Sequence, residues 1–355
     1  MAGTPQAAHI RRLGFNYQMQ QKTEPMKLYL SALLLLVGSL SFSTDADAKE
    51  PKWAPLEIVN VKALPWDKSP RFGADSKTFF RGPEGTLIFA RWSPSWTTEM
   101  PTAGAGIGSH YHLWNEWAYM LKGDLVIQEP VSPYQKNGAM YRYVEGTWLD
   151  RPAYTLHGGG WVTGGLRSQN PTTLILYEEG DGSVVSIGPN GDHFKPDFAE
   201  KPVPYEPDWR AVKKFQRPWI VHSASDLEWE TDPQVAGRLV KWLSDDTKEG
   251  FRAQLVKIPP GWTAPEGSRK TYFRKGSRMR YVLFGDMQVL SFDDPNSAGA
   301  ATRVTEDYFI FQPTGSIWGY GGGPVSEHGA IWLEVTYADG VAHGGGPIED
   351  AVEIN

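Results

Sequence analysis

His110 and His112 stand one residue apart, Glu116 follows after three more residues, and Gly123 closes the segment. In an extended chain residues i and i+2 point to one face, so both imidazoles can reach the same ion. Three intervening residues are enough to turn and begin a new strand at Glu116, and Gly123, in LKGD, supplies the turn at its far end. Further on, Gly146 marks a second turn, Pro152 stiffens the backbone and His157 adds another imidazole. Imidazole nitrogen and carboxylate oxygen are the side-chain ligands that transition metals take. The competing reading is a strand carrying satisfied polar residues. A lone histidine favours that alternative, whereas four ligand-type residues at this spacing favour a metal site.

Side chains that converge from such distant points need a rigid frame. After Lys49, short runs rich in β-branched and aromatic residues recur between Gly, Pro, Asn and Asp clusters: TLIFARW, WAYMLKGDLVIQEP, TTLILYEEGDG, AQLVKIPPGW, MRYVLFGDMQVLSF and AIWLEVTYADG. This spacing predicts an all-β sandwich or barrel. The window that best fits a helical period is QVAGRLVKWLSDD, Gln234 to Asp246, which predicts one or two turns of helix. Three stretches repeat in order: Ala90, Ala118 and Trp148 answer Val256, Arg280 and Phe309, at offsets of 166, 162 and 161. So constant an offset predicts two tandem units. The Pro- and charge-rich stretch 196–217 carries no period and reads as a linker between units spanning 49–195 and 218–355.

Composition narrows the chemistry. Cysteine is absent, which excludes disulfides, thiolate metal sites and cysteine nucleophiles, so any metal rests on His, Asp or Glu. The net charge of −6, without a basic stripe, argues against a nucleic-acid partner. The 15 tryptophans fit a heavily packed β core or an aromatic-lined cavity. The apolar run from Leu28 to Leu40 is shorter than the roughly 20 residues a spanning helix needs. Met26-Lys27 precedes it and Ala46-Asp47-Ala48 follows it, so residues 26–48 read as a secretory signal peptide cleaved after Ala48. Residues 1–25 are then an upstream extension. The expected destination is the periplasm or the medium, with no permanent membrane insertion; without cysteine the chain cannot be mispaired in an oxidising compartment.

Gly104-x5-His110-x-His112-x3-Glu116-x6-Gly123, followed by Gly146-x5-Pro152-x4-His157, resembles the two signature motifs of the cupin superfamily. The match is complete at the four ligand positions and at the framing glycines and proline. It departs at Tyr154, where the family usually has glycine, and at Trp161, where it often has asparagine. The resemblance implies two tandem cupin-type β-barrels (double-stranded β-helices, or jelly rolls), the first holding a metal on His110, His112, Glu116 and His157. Three neutral imidazoles and one carboxylate, with room for open positions, suit a divalent transition metal over Mg or Ca. Fe or Mn come first, with Ni, Cu or Zn as alternatives.

Under the same alignment Tyr272, Arg274, Arg278 and Trp318 replace the four ligands in the second half. Arginine and the tryptophan indole have no lone pair to give, so the second barrel is expected to be degenerate. Its cluster of Arg269, Lys270, Arg274, Lys275, Arg278 and Arg280 reads either as a solvated charged strand or as an anion site.

The resemblance does not choose among activities, since cupins include dioxygenases, oxalate-degrading enzymes, isomerases, lyases and binding proteins; the three-His-one-Glu set and the aromatic-rich surroundings put first an exported metal-dependent oxidoreductase, a dioxygenase acting on a small organic substrate. A non-catalytic metal- or ligand-binding envelope protein and a metal-dependent isomerase or lyase are the alternatives. Glu116 is the expected catalytic group, able to leave the metal and accept a proton, and Trp114 and Trp161 are the expected substrate contacts. Tyr111, Trp117 and Tyr119 have the opposite strand parity and are expected to pack outside. The glycines of HGGGWVTGG, 157–165, read equally as a substrate-admitting loop or as turns. His193, His222, His328 and His343 lack ligand spacing and are expected in surface or hydrogen-bonded roles. A homodimer is the expected assembly.

Overall fold

The computed structural model describes residues 53–69, 74–82, 85–95, 110–131, 139–158, 168–186, 214–246, 249–273 and 275–339. The expected leader at 26–48 and most of the expected linker lie outside them. The first half carries β1 (Glu57–Asn60), β2 (Asp67–Ser69), β3 (Ala74–Gly82), β4 (Gly85–Trp92), β5 (His110–His112) and β6 (Glu116–Lys122). It continues with β7 (Asp124–Glu129), β8 (Ala139–Val144), β9 (Trp148–Arg151), β10 (Thr172–Glu179) and β11 (Val184–Ser186). The second half carries β12 (Trp219–Val221), β13 (Glu230–Thr231), β14 (Leu239–Asp246), β15 (Phe251–Ile258) and β16 (Lys270–Tyr272). Then come β17 (Ser277–Phe292), β18 (Ala300–Thr305), β19 (Tyr308–Gln312), β20 (Ile317–Gly319) and β21 (Ala330–Tyr337).

The main sheet of the first barrel runs β12-β9-β6-β10-β4-β3-β2, and that of the second runs β1-β19-β17-β21-β15-β14-β13. The repeat is visible in that order. β4 and β15, β6 and β17, and β9 and β19 hold the three repeated stretches, and each trio occupies the same places in its sheet. The expectation of an all-β protein built from two tandem barrels is borne out. One feature departs from chain order. β12 pairs with β9 through Trp219↔Asp150 and Val221↔Trp148, whereas β1 pairs with β19 through Glu57↔Phe311 and Asn60↔Tyr308. Each barrel thus receives its edge strand from the segment preceding the other, and the exchange covers two otherwise open sheet edges.

The apolar residues form three main clusters. Ala90, Ala118, Met120, Leu125 and Leu149 fill the first barrel, and Val240, Val256, Val282, Val304 and Trp332 fill the second. The largest cluster is the seam between the barrels, where Phe79, Trp117, Trp148 and Tyr177 meet Phe251, Tyr281, Phe309 and Tyr337. Indole N–H groups bridge it: Trp117 Nε1 donates to Tyr337 Oη at 2.9 Å and Trp148 Nε1 to Ser244 Oγ at 2.9 Å. Trp117 and Tyr119 do point away from the ligand face, but the second barrel buries them, while Tyr111 packs with Leu156 in a small cluster of its own.

The helix expected over Gln234–Asp246 is absent; residues 239–246 are strand β14, paired with β13 and β15. Both faces of β14 are covered, with Val240 in the second-barrel core and Leu243 in the seam. Apolar residues on both faces of a strand imitate the i, i+3, i+4 spacing of a helix, and ladder pairing decides the outcome. Among the described residues no helix is long and apolar enough to cross a membrane.

Candidate metal centre

The cluster is assembled by pairing rather than by sequence proximity. β5 carries His110 and His112 on one face, and its other neighbour is the segment at His157: His110 N–H donates to His157 O at 2.9 Å and His157 N–H returns the bond at 3.0 Å. This ladder sets the third imidazole opposite the first. β6 then brings Glu116 in from the side. Asn115 fixes the connection, accepting from Ala153 N–H at 2.9 Å through Oδ1 and donating to Glu179 Oε2 at 2.9 Å. Gly123 and Gly146, at φ of 84° and 81°, make the turns that a glycine accommodates without strain.

His110, His112 and His157 each place a ring nitrogen within 4.8 Å of the others, all three side chains being buried, and this group fits a single metal ion. Glu116 joins them: Oε2 is 3.3 Å from His112 Nε2 and Oε1 is 3.6 Å from His157 Nε2. The rings are already turned for coordination. His112 Nδ1 lies 3.1 Å from Ser183 O and His157 Nδ1 lies 3.0 Å from Thr155 O. A carbonyl can only accept, so each Nδ1 carries the proton and each Nε2 lone pair faces inward, the arrangement of metal-binding histidines.

Electrostatics reinforce this. Burial, then Arg151 and His110, hold the His157 imidazole well below its ordinary pKa, in the neutral form that ligands require. Burial would lift Glu116, but Arg151 first and His157 next pull it well below the usual carboxylate range. His112 goes the other way: burial lowers it, yet the hydrogen bond and charge of Glu116 outweigh that and raise it.

Arg151 was not foreseen. At the end of β9, fully enclosed, it donates from Nη1 to Glu116 Oε1 and from Nη2 to Glu129 Oε1 at 2.5 Å, and Tyr143 Oη also donates to Glu129 Oε1 at 2.5 Å. Oε1 is thus shared between Arg151 and the His157 side, and Oε2 faces His112. Beside Glu116, burial raises Glu129 above the usual carboxylate range, against the pull of Arg151. Glu178 was missed as well. Paired with Glu116 across β10 and β6, it groups with His112 and Glu116, with ligand atoms within 4.8 Å. Its carboxylate lies against Gly182, at φ 64°, where a Cβ would come within 2.2 Å of Oε2. The one sequence signal for Glu129 and Arg151 is a charge beside apolar strand neighbours.

Tyr154, replacing the family's glycine, keeps glycine's backbone, with φ of 68°. Its N–H bonds His112 O at 2.9 Å and its ring stacks on Tyr111 at 5.6 Å. Trp114, on the β5–β6 connection, is packed against Gly180, and its Nε1 is buried without a partner. Gly104, Trp161 and the glycines from 159 lie outside the described residues, as do His193 and His343. His222 is exposed and His328 is 71% exposed beside Asp286, in keeping with surface roles. In the second barrel Trp318 does occupy the interior, but the side chain of Tyr272 and the whole of Arg274 lie outside the described residues. A groove of about 450 Å³ runs along the seam past Tyr119, Trp229, Lys241 and Asp307; none of the four ligand residues lines it.

No protein-family model matches the sequence, and no curated protein matches it. Solved structures do match the fold. A single-substitution variant of the oxalate decarboxylase of Bacillus subtilis aligns at a TM-score of 0.52 and 12% identity over 84% of this chain and 78% of that one. The oxalate decarboxylase of Lactobacillus farciminis, in a formate complex, aligns at 0.51 and 12% over 81% and 87%. A further Bacillus subtilis oxalate decarboxylase structure, described by its Mn(II) centres, aligns at 0.51 and 12% over 80% and 77%. The chain has the cupin fold. More particularly, it has the two-barrel, bicupin form of that fold.

Proposed function

We propose that this is a metal-dependent cupin enzyme of lyase type that cleaves carbon dioxide from a small carboxylate, with the metal held by His110, His112, Glu116 and His157 in the first barrel. The observation that carries the reading is the convergence of three buried imidazoles, two of them with Nδ1 pinned to a backbone carbonyl. The likeness in fold to oxalate decarboxylases supports decarboxylation over the dioxygenase chemistry that the sequence puts first. Mn is the favoured ion, since one of those structures is described by its Mn(II) centres. A divalent ion supplies Lewis-acid polarisation of a bound carboxylate.

The chain's own residues do the rest. His110, His112, His157 and Glu116 would hold the ion, with Nε2 of His112 and of His157 turned inward. Arg151 keeps Glu116 ionised and makes it a weak base, so a proton-accepting role for Glu116 requires its release from that guanidinium. Trp114, with its buried indole N–H, and Trp161 are the substrate contacts of this reading. In the reaction one C–C bond breaks, carbon dioxide leaves and one proton replaces it, so no external oxidant is consumed. Export through the 26–48 leader and a homodimer belong to the same reading.

The test is elemental analysis of the purified protein, followed by oxalate and other small carboxylates with carbon dioxide and dissolved oxygen monitored together. Carbon dioxide release without net oxygen consumption is expected. Oxygen uptake matching substrate loss would return the dioxygenase reading, and bound metal without turnover of any compound would leave a binding protein.

A further inference from the structure

One member of the basic cluster of the second barrel, Arg280, is completely buried rather than solvated. Its Nε donates to Glu334 Oε2 at 2.8 Å, its Nη1 to Gln312 Oε1 at 3.2 Å, and its guanidinium lies 3.6 Å from the centre of the Trp318 ring, the residue aligned with His157. Two buried donors there have no partner, Arg280 Nη2 and Gln312 Nε2, and Thr271 Oγ1, from the residue paired with Trp318, is a third unpartnered buried group.

Charge points the same way. Glu334 is the acid that both Arg280 and Arg278 face, at 2.8 and 3.8 Å, and its oxygens also accept from Gln254 Nε2 at 2.8 Å and Trp332 Nε1 at 3.2 Å. Glu334 thus lies in the field of both guanidinium groups, and of Arg238 as well. Burial outweighs Glu334 and pushes Arg280 down to about 10, as expected for an under-compensated cation. The first barrel is the inverse, with two carboxylates around Arg151 and a cation site beside them.

We propose that the interior of the second barrel binds a small carboxylate-class anion, of formate or acetate size, between Arg280 Nη2 and Gln312 Nε2 with Thr271 adjacent. A guanidinium N–H and an amide N–H, both buried and unpartnered on two residues that already touch, are the donors that the oxygens of such an anion would take. The barrels of one chain then divide the charges, the first holding a cation and the second an anion.

Calorimetric titration with sodium formate and sodium acetate at constant ionic strength tests this, using chelator-treated protein so that metal in the first barrel plays no part. One saturable site per chain is expected, together with a rise in Tm. Gln312→Leu, which spares the Arg280–Glu334 pair, is expected to weaken binding about tenfold through loss of one hydrogen bond to an ionised group. Thr271→Val serves as the second variant, with a severalfold weakening, and His110→Ala leaves binding unchanged. Absence of saturable binding to the chelated wild type overturns the proposal. So does binding that His110→Ala abolishes and that folded Gln312→Leu and Thr271→Val proteins retain at full strength. Because the protein is metal-free throughout, neither result bears on the lyase reading.

Discussion

Replacing Arg151 by methionine keeps the approximate length of the side chain and removes its charge and donors. Glu116 and Glu129 would both be left buried, with 4% and 1% of their surfaces exposed and no cation between them. Removing one partner of a buried ion pair costs roughly 3–5 kcal/mol, and here one substitution strands two acids. The metal-free variant is therefore expected to lose at least about 3 kcal/mol, a large share of the roughly 5–15 kcal/mol that holds a protein folded. A divalent ion bound through Glu116 replaces the missing positive charge, so the deficit should shrink when metal is added. Urea denaturation followed by circular dichroism, with chelator and then with Mn(II), measures both quantities. Arg151→Lys retains the charge but cannot span both acids with a planar fork, and should fall between the two. A loss below about 1 kcal/mol in chelated Arg151→Met, or an equal loss with and without metal, would refute the account of Arg151 as the counter-charge of Glu116.

Further outcomes follow from the same geometry. In chelated protein His157 sits below its ordinary pKa, so the unfolded chain binds the extra proton and stability falls as pH drops below about 6.5. His112 is raised, so its contribution is present below about 6.5 and is lost as pH rises through its folded value. His157→Ala should flatten the acid-side loss and His112→Ala should not; identical pH profiles would contradict the assignment. Glu116→Gln should weaken metal binding by more than about tenfold, the lower bound for losing even an outer partner, measured by competition with a chromogenic chelator. If Glu116→Gln still holds metal and retains full activity, Glu116 has no proton-transfer role. Gly123→Ala forces a Cβ to within 2.3 Å of Pro171 O at a φ of 84°, and should cost roughly 1–3 kcal/mol in thermal unfolding. Expressed in a bacterium with its leader, the protein should be recovered from the periplasm with Lys49 as its first residue; a cytoplasmic chain that retains 26–48 would argue against export.

The sequence by itself determined a great deal here. Strand period fixes which neighbours share a face, so His110 and His112 could be grouped from spacing, with Glu116 one short turn away, and the near-constant offset between the halves foretold the equivalent places of β4 and β15, β6 and β17, and β9 and β19. The cupin resemblance supplied His157 as a fourth ligand. All of these rest on short-range regularities that a linear chain records.

Only the tertiary structure decided the rest. Arg151, Glu129, Tyr143 and Glu178 come from four strands and meet through ladder pairing, which leaves no local pattern to read. The exchange of β1 and β12 is likewise a matter of which edge is open, and edges exist only after the sheets have formed. At Gln234–Asp246 local periodicity pointed to a helix, but burial on both faces and the pairing with β13 and β15 made a strand. The buried charged clusters of the two interiors, around Arg151 and around Arg280, depend on which side chains lose contact with water together. Burial is a property of the whole fold, and so is the chemistry it creates.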